Sequence, residues 1–159
     1  MFAFFSIMSL EYKNILLLLS VLLIFTCNWF LFAHEQEIDS GRLIVKITGF
    51  QNNTGFALTA LSRNEEEFES EDEPELGGAS KIVNLESEFI FENLLFGIYT
   101  LKVFHDEDMN YKLNKNFLGM PSEDYGFSNN VRGTFGIPDF ESALFKFDST
   151  NQTINIILD

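Results

Sequence analysis

Residues 97–105 read GIYTLKVFH, with Tyr99, Leu101 and Val103 falling on one side of an extended chain and Ile98, Thr100, Lys102 and Phe104 on the other. Successive side chains of a strand point to opposite faces, so this stretch reads as a β-strand apolar enough on both faces to be central in a sheet. The same period of two recurs outward from it. On the N-terminal side, Leu43, Val45 and Ile47 alternate with Ile44, Lys46 and Thr48. Residues 55–62, GFALTALS, follow the turn signal Asn52-Asn53-Thr54-Gly55 and are expected to form a hairpin with residues 41–50. Residues 81–84 are a short candidate, and 88–92 place Phe89 and Phe91 on one face. On the C-terminal side, residues 143–147 and 153–158 carry Phe145 with Phe147, and Ile154 with Ile156 and Leu158. About seven short strands, and no long stretch with a helical apolar period, predict an all-β fold: one two-sheet sandwich.

The chain has 159 residues, 46% of them apolar, with 19 Phe and a formal net charge of −14. That suffices for one hydrophobic core. The negative charge excludes nucleic acid as a partner, because affinity for a polyanion comes chiefly from Lys and Arg. Eight of the acidic residues crowd into 64–78, from Glu65 to Glu75, which is expected to be a solvated acidic loop, or else a loose cation- or partner-binding one.

Residues 15–25, ILLLLSVLLIF, form an apolar core of signal-peptide length after Lys13. Residues 1–33 are therefore expected to be a targeting segment, with translation starting at Met1 or Met8, and 34–159 the β-sandwich domain. Three fates fit the segment: cleavage after Ala33, lipidation at Cys27, or retention of residues 15–32 as a membrane anchor, the chain's only membrane contact. Cys27 is the one cysteine, so a processed product would have no thiol for a disulfide or a thiolate metal site.

The sharpest chemistry lies in 106–114. Asp106, Asp108, Asn110, the Lys112 carbonyl and Asn114 occupy positions 1, 3, 5, 7 and 9 of an oxygen-rich loop, the spacing that aims alternate ligands at one Ca²⁺. Position 12 is Phe117 rather than a bidentate Glu, and position 6 is Tyr111 rather than the Gly that permits a sharp turn. Glu123 and Asp124 lie further along as possible substitutes. The competing reading is a metal-free loop of Asx turns. His105 beside Asp106 is a general-base pairing, but adjacent strand residues point to opposite faces and Ser128, in Gly126-Phe127-Ser128-Asn129, lacks the second Gly of a nucleophile elbow. His105 is thus expected to be structural, hydrogen-bonded to the loop that it opens. Phe117, Tyr125, Phe127, Phe135 and Phe140 either line a groove or fold the long 106–140 loop onto the core.

The stretch from Phe89 to Ala143 carries a pattern of Gly97 and Tyr99; His105 and Asp106; Asp108 and Asn110; Leu118, Gly119 and Pro121; Gly126 through Asn129; and Pro138, Phe140 and Ala143. In this it resembles the bacterial family known as domain of unknown function 2141. The resemblance spans roughly 42–158 and implies an exported sandwich similar to transthyretin-like modules; it implies no reaction. The expectation is a non-enzymatic binding or structural module of the periplasm or cell envelope, with an unknown envelope protein or polymer as partner. The alternative is an envelope-polymer hydrolase using His105 and neighbouring carboxylates; a third is an accessory module of outer-membrane systems.

Overall fold

The computed structural model describes residues 39–134 and 136–159; the expected targeting segment, with Met8, Cys27 and Ala33, and the aromatic Phe135 lie outside them. The elements in order are β1 (Ser40–Thr48), β2 (Phe56–Ser62), α1 (Glu65–Glu69), β3 (Leu76–Lys81), β4 (Glu86–Leu95), β5 (Gly97–Asp106), β6 (Tyr125–Phe127), a 3₁₀ turn (Ser128–Asn130), α2 (Phe140–Ala143), β7 (Phe145–Phe147) and β8 (Asn151–Ile157). Two sheets form an all-β sandwich. One is β4-β1-β8, with β1 and β8 parallel; the other is β3-β2-β5-β6, with β7 pairing the start of β5.

The alternation read from the sequence sets the faces. Leu43, Val45 and Ile47 of β1 and Tyr99, Leu101 and Val103 of β5 are buried in one core with Phe91, Phe147, Ile156 and Leu158. β5 is central, flanked by β2 on one side and by β6 and β7 on the other. The expected hairpin between residues 41–50 and 55–62 does not form. β1 pairs with β4 and β8 while β2 pairs with β3 and β5, so the turn at 52–55 carries the chain from one sheet to the other.

Residues 64–78 are likewise not a plain solvated loop. Asn64 caps α1: its Oδ1 accepts the Glu67 N–H at 2.9 Å, while Glu67 Oε2 accepts the Arg63 N–H at 2.8 Å. This reciprocal box satisfies N–H groups that a helix start leaves free, and three glutamates in the first turn suit the positive end of the helix dipole. Phe68 is then driven completely out of water, edge-on to Phe127 at 5.7 Å and tilted against Phe140 at 5.8 Å. Lys102 closes the helix from below, its Nζ donating to the carbonyls of Phe68 and Ser70 at 3.0 and 2.5 Å. Desolvation lowers the Lys102 pKa from its ordinary value. The run ends in strand: Leu76, Gly77 and Gly78 belong to β3, which precedes the strand expected at 81–84.

The sheets meet at the β6 edge. Tyr125 and Asp159 exchange backbone hydrogen bonds at 3.3 and 3.2 Å. A Cβ at Gly126 would stand 2.8 Å from Ile156 Cγ2, so only glycine lets β6 approach β8 this closely. The next residues lock the arrangement. Ser128 Oγ accepts the Leu101 N–H at 2.9 Å and donates to the Ala143 carbonyl at 2.5 Å. Asn129 donates to the carbonyls of Ser142 and Leu144. Asn130 pairs with the Ile157 N–H and the Asn155 carbonyl, occupying the outer edge of β8.

Candidate cation site

β5 ends at Asp106, the point where the inward alternation stops. His105 points inward with Tyr99, Leu101 and Val103; it is fully buried, edge-on to Phe50 at 5.1 Å. Its Nε2 lies 2.7 Å from the Thr54 carbonyl, and its Nδ1 lies 3.7 Å from the Glu107 carboxylate. The histidine therefore ties β5 to the connection between β1 and β2, rather than to the loop that it opens.

Asp106 faces the other way and organises the loop. Its Oδ1 accepts the Asn110 N–H at 3.1 Å and its Oδ2 the Tyr111 N–H at 2.9 Å, so the backbone curls around one carboxylate. Asp106 is fully buried. Curling takes two residues into the left-handed region, Met109 at φ 59° and Tyr111 at φ 62°. Tyr111 adopts the conformation for which position 6 usually holds glycine, and its ring stays exposed. Asn110 Oδ1 accepts the Lys112 N–H at 2.7 Å.

The chain beyond Asn114 turns straight back. Ser122 N–H donates to the Asn114 carbonyl, Asn116 N–H to the Met120 carbonyl, and Asn116 Oδ1 accepts from both Leu118 and Met120 N–H. Gly119, at φ 81°, allows the reversal. This small hairpin returns Glu123 to the loop, where its Oε2 accepts the Asn114 N–H at 2.8 Å and its Oε1 the Glu107 N–H at 3.2 Å. Asp106, Asp108 and Glu123 each thereby offer a carboxylate oxygen within 4.8 Å of the others.

Like charges this close require a compensating positive group. Here side-chain amides supply part of it: Asn114 Nδ2 donates to Asp108 Oδ2 at 3.0 Å and Asn110 Nδ2 to the same oxygen at 2.9 Å. Those bonds, Asn114 first, hold the Asp108 carboxyl below its ordinary pKa. Reversing either amide would replace a donor with an oxygen ligand. The three carboxylates suit a hard cation such as Ca²⁺, which takes six to eight oxygens.

Of the residues expected at this site, Asp106, Asp108, Asn110 and Asn114 come together, and Lys112 contributes its N–H to Asn110. Glu123 returns beside Asp106 and Asp108, while Asp124 instead gives its backbone carbonyl to His105 N–H. The aromatic set divides: Phe127 is buried, Tyr125 packs on Phe127 and Phe140 on Phe68, whereas Phe117 is 94% exposed at the hairpin tip.

No curated protein matches the sequence, and no solved structure matches the fold. A family model does match over residues 45–155, which covers β1 from Val45 to most of β8 and includes the whole cation loop and the Gly126–Asn130 lock. The chain belongs to the bacterial family described as "Uncharacterized protein conserved in bacteria" (DUF2141).

Proposed function

We propose that the protein is a non-enzymatic binding or structural module of the bacterial cell envelope, reached by export, and that Ca²⁺ fastens its 106–123 segment to the sandwich. The observation that carries this reading is the convergence of Asp106, Asp108 and Glu123 oxygens within 4.8 Å, at the end of a central strand and beside two rotatable amides. A cation there joins the strand end, the curled loop and the returning hairpin, three pieces that hydrogen bonds of Asp106 and Glu123 also connect. The buried His105, engaged with Thr54, fits a structural part. The apolar 15–25 stretch supports export.

Calorimetric titration of Ca²⁺ into the protein tests the metal reading. A site with one loop and no bidentate position-12 ligand is expected to bind in the range of extracellular modules, with Kd of about 10⁻⁴ to 10⁻³ M. Binding lost in Asp106→Ala plus Asp108→Ala, with a chelator-sensitive Tm in the native chain, supports it. No heat and no shift in Tm at several times that concentration sinks it. Fractionation of cells expressing the chain, and of a Cys27→Ser variant, tests export; recovery in the cytoplasm alone would refute the envelope assignment.

A further inference from the structure

β3 and β4 are consecutive strands, yet they belong to different sheets and each is the last strand of its own. Their backbones pair only near their turn. Val83 and Glu86 exchange backbone hydrogen bonds, and the Ser80 and Ser87 hydroxyls lie 2.7 Å apart. From there the two strands splay, and among the described residues neither the outer edge of β3, whose inner edge pairs with β2, nor the outer edge of β4 pairs with another strand. A cleft of about 310 Å³ opens between them, lined by Leu76, Gly77, Phe89, Phe91 and Leu94.

Arg63, Glu75, Glu92 and Asn93 line the cleft beside these apolar residues, and on the β3 side it is short of side chains. Leu76, Gly78 and Ser80, which face the core from β3, are only half-buried, as is Phe89 opposite. Gly78 has no side chain because the Phe89 ring takes its place; a Cβ there would stand 2.9 Å from the ring. The three-stranded sheet is narrower than the five-stranded one it covers. One more strand beside β4 would bring it to four and lay alternate side chains over β3.

We propose that this cleft accepts an extended peptide segment of a partner protein, which adds to the outer edge of β4 as a fourth strand. A free row of backbone N–H and C=O groups is satisfied by another extended chain and not by a lipid or a sugar. Residues alternating along such a segment enter the cleft, so every second one is apolar. The others sit beside Glu88 and Glu92 on the exposed face of β4, where Lys or Arg is favoured at Glu88 and competes at Glu92 with Arg42, whose Nε lies 3.0 Å from the Glu92 carboxylate. The same glutamates disfavour a second copy: antiparallel self-pairing of β4 about Ile90 sets Glu88 directly opposite Glu92. The occupant is therefore a basic, alternating strand from a different protein.

The test titrates a decapeptide alternating valine and lysine into the full-length chain, following backbone amide resonances by NMR. A second peptide of the same charge carries N-methyl groups on alternate backbone amides. Saturable binding with shifts centred on β3 and β4, abolished by N-methylation and weakened about tenfold by Glu88→Lys plus Glu92→Lys, is the expected result. Equal binding of the N-methylated peptide would reduce the effect to charge coating. Shifts confined to the acidic 65–75 segment, failure to saturate by about 1 mM, or β4 shifts from self-association without peptide would each overturn the proposal.

Discussion

Tyr111 and Asp108 show opposite ways in which one residue sets the 106–114 loop. Tyr111 sits at φ 62°, where an L side chain costs about 1 to 2 kcal/mol, and its ring is exposed and recovers little of that by packing. Tyr111→Gly is therefore expected to raise stability by about 1 kcal/mol, read as a higher urea midpoint with unchanged slope; a lower midpoint would mean that the ring contributes more than the backbone loses. Asp108 is held by favourable contacts. Its pKa lies below the ordinary value because Asn114, and then Asn110, donate to it. A depressed carboxylate contributes stability that is present above the unfolded value and lost as pH falls through the folded one, so this contribution is intact at neutral pH and disappears on the acid side of about pH 4. An NMR titration of the Asp108 carboxyl is expected to give a midpoint below the ordinary 3.8, moving up toward it in Asn114→Ala; an unchanged midpoint in that variant would assign the depression to another group.

At the scale of elements, α1 is the test of whether a highly acidic stretch is folded. Its five residues are too few to be helical alone. What holds it is Phe68 between Phe127 and Phe140, with the cap adding a smaller part. Phe68→Ala is expected to cost about 3 to 5 kcal/mol and Asn64→Ala about 1 kcal/mol by chemical denaturation; equal small losses from both would return the segment to a solvated loop. The sequence carried this signal in the Asn64 to Glu67 spacing followed by Phe68, but eight carboxylates within residues 65–75 outweighed it. Strand faces were more legible, because period two at Leu43, Val45 and Ile47 depends only on burial of one side. Strand partners were not: a turn at 52–55 is compatible with pairing back or with crossing to the other layer, and only packing decides. The cation loop divides the same way. Asp106, Asp108, Asn110 and Asn114 were readable from spacing, whereas choosing Glu123 over Asp124 required the hairpin built on Asn116 and Gly119.

For the whole molecule the governing quantity is a net charge of −14, which any cation relieves. Self-repulsion of this size opposes compactness, and salt screens it over a Debye length of about 10 Å at 0.1 M. Sodium chloride alone is thus expected to raise the Tm, and a shift with Ca²⁺ is not by itself evidence of a site. The two effects separate at matched ionic strength. Diffuse screening treats the chain as an anionic body, so Mg²⁺ and Ca²⁺ act alike and every acidic region contributes. A site at Asp106, Asp108 and Glu123 favours Ca²⁺, which accepts irregular sets of six to eight oxygens, over Mg²⁺, which demands a tight octahedron and dehydrates reluctantly. Melting curves in NaCl, MgCl₂ and CaCl₂ at one ionic strength are expected to show an extra increment with Ca²⁺ that Asp108→Asn removes and that Glu65→Gln plus Glu66→Gln, on the exposed face of α1, leaves in place. If the increments for Ca²⁺ and Mg²⁺ coincide, or fall equally in both variants, the cluster is one part of a general acidic surface and the loop is held by its amides alone.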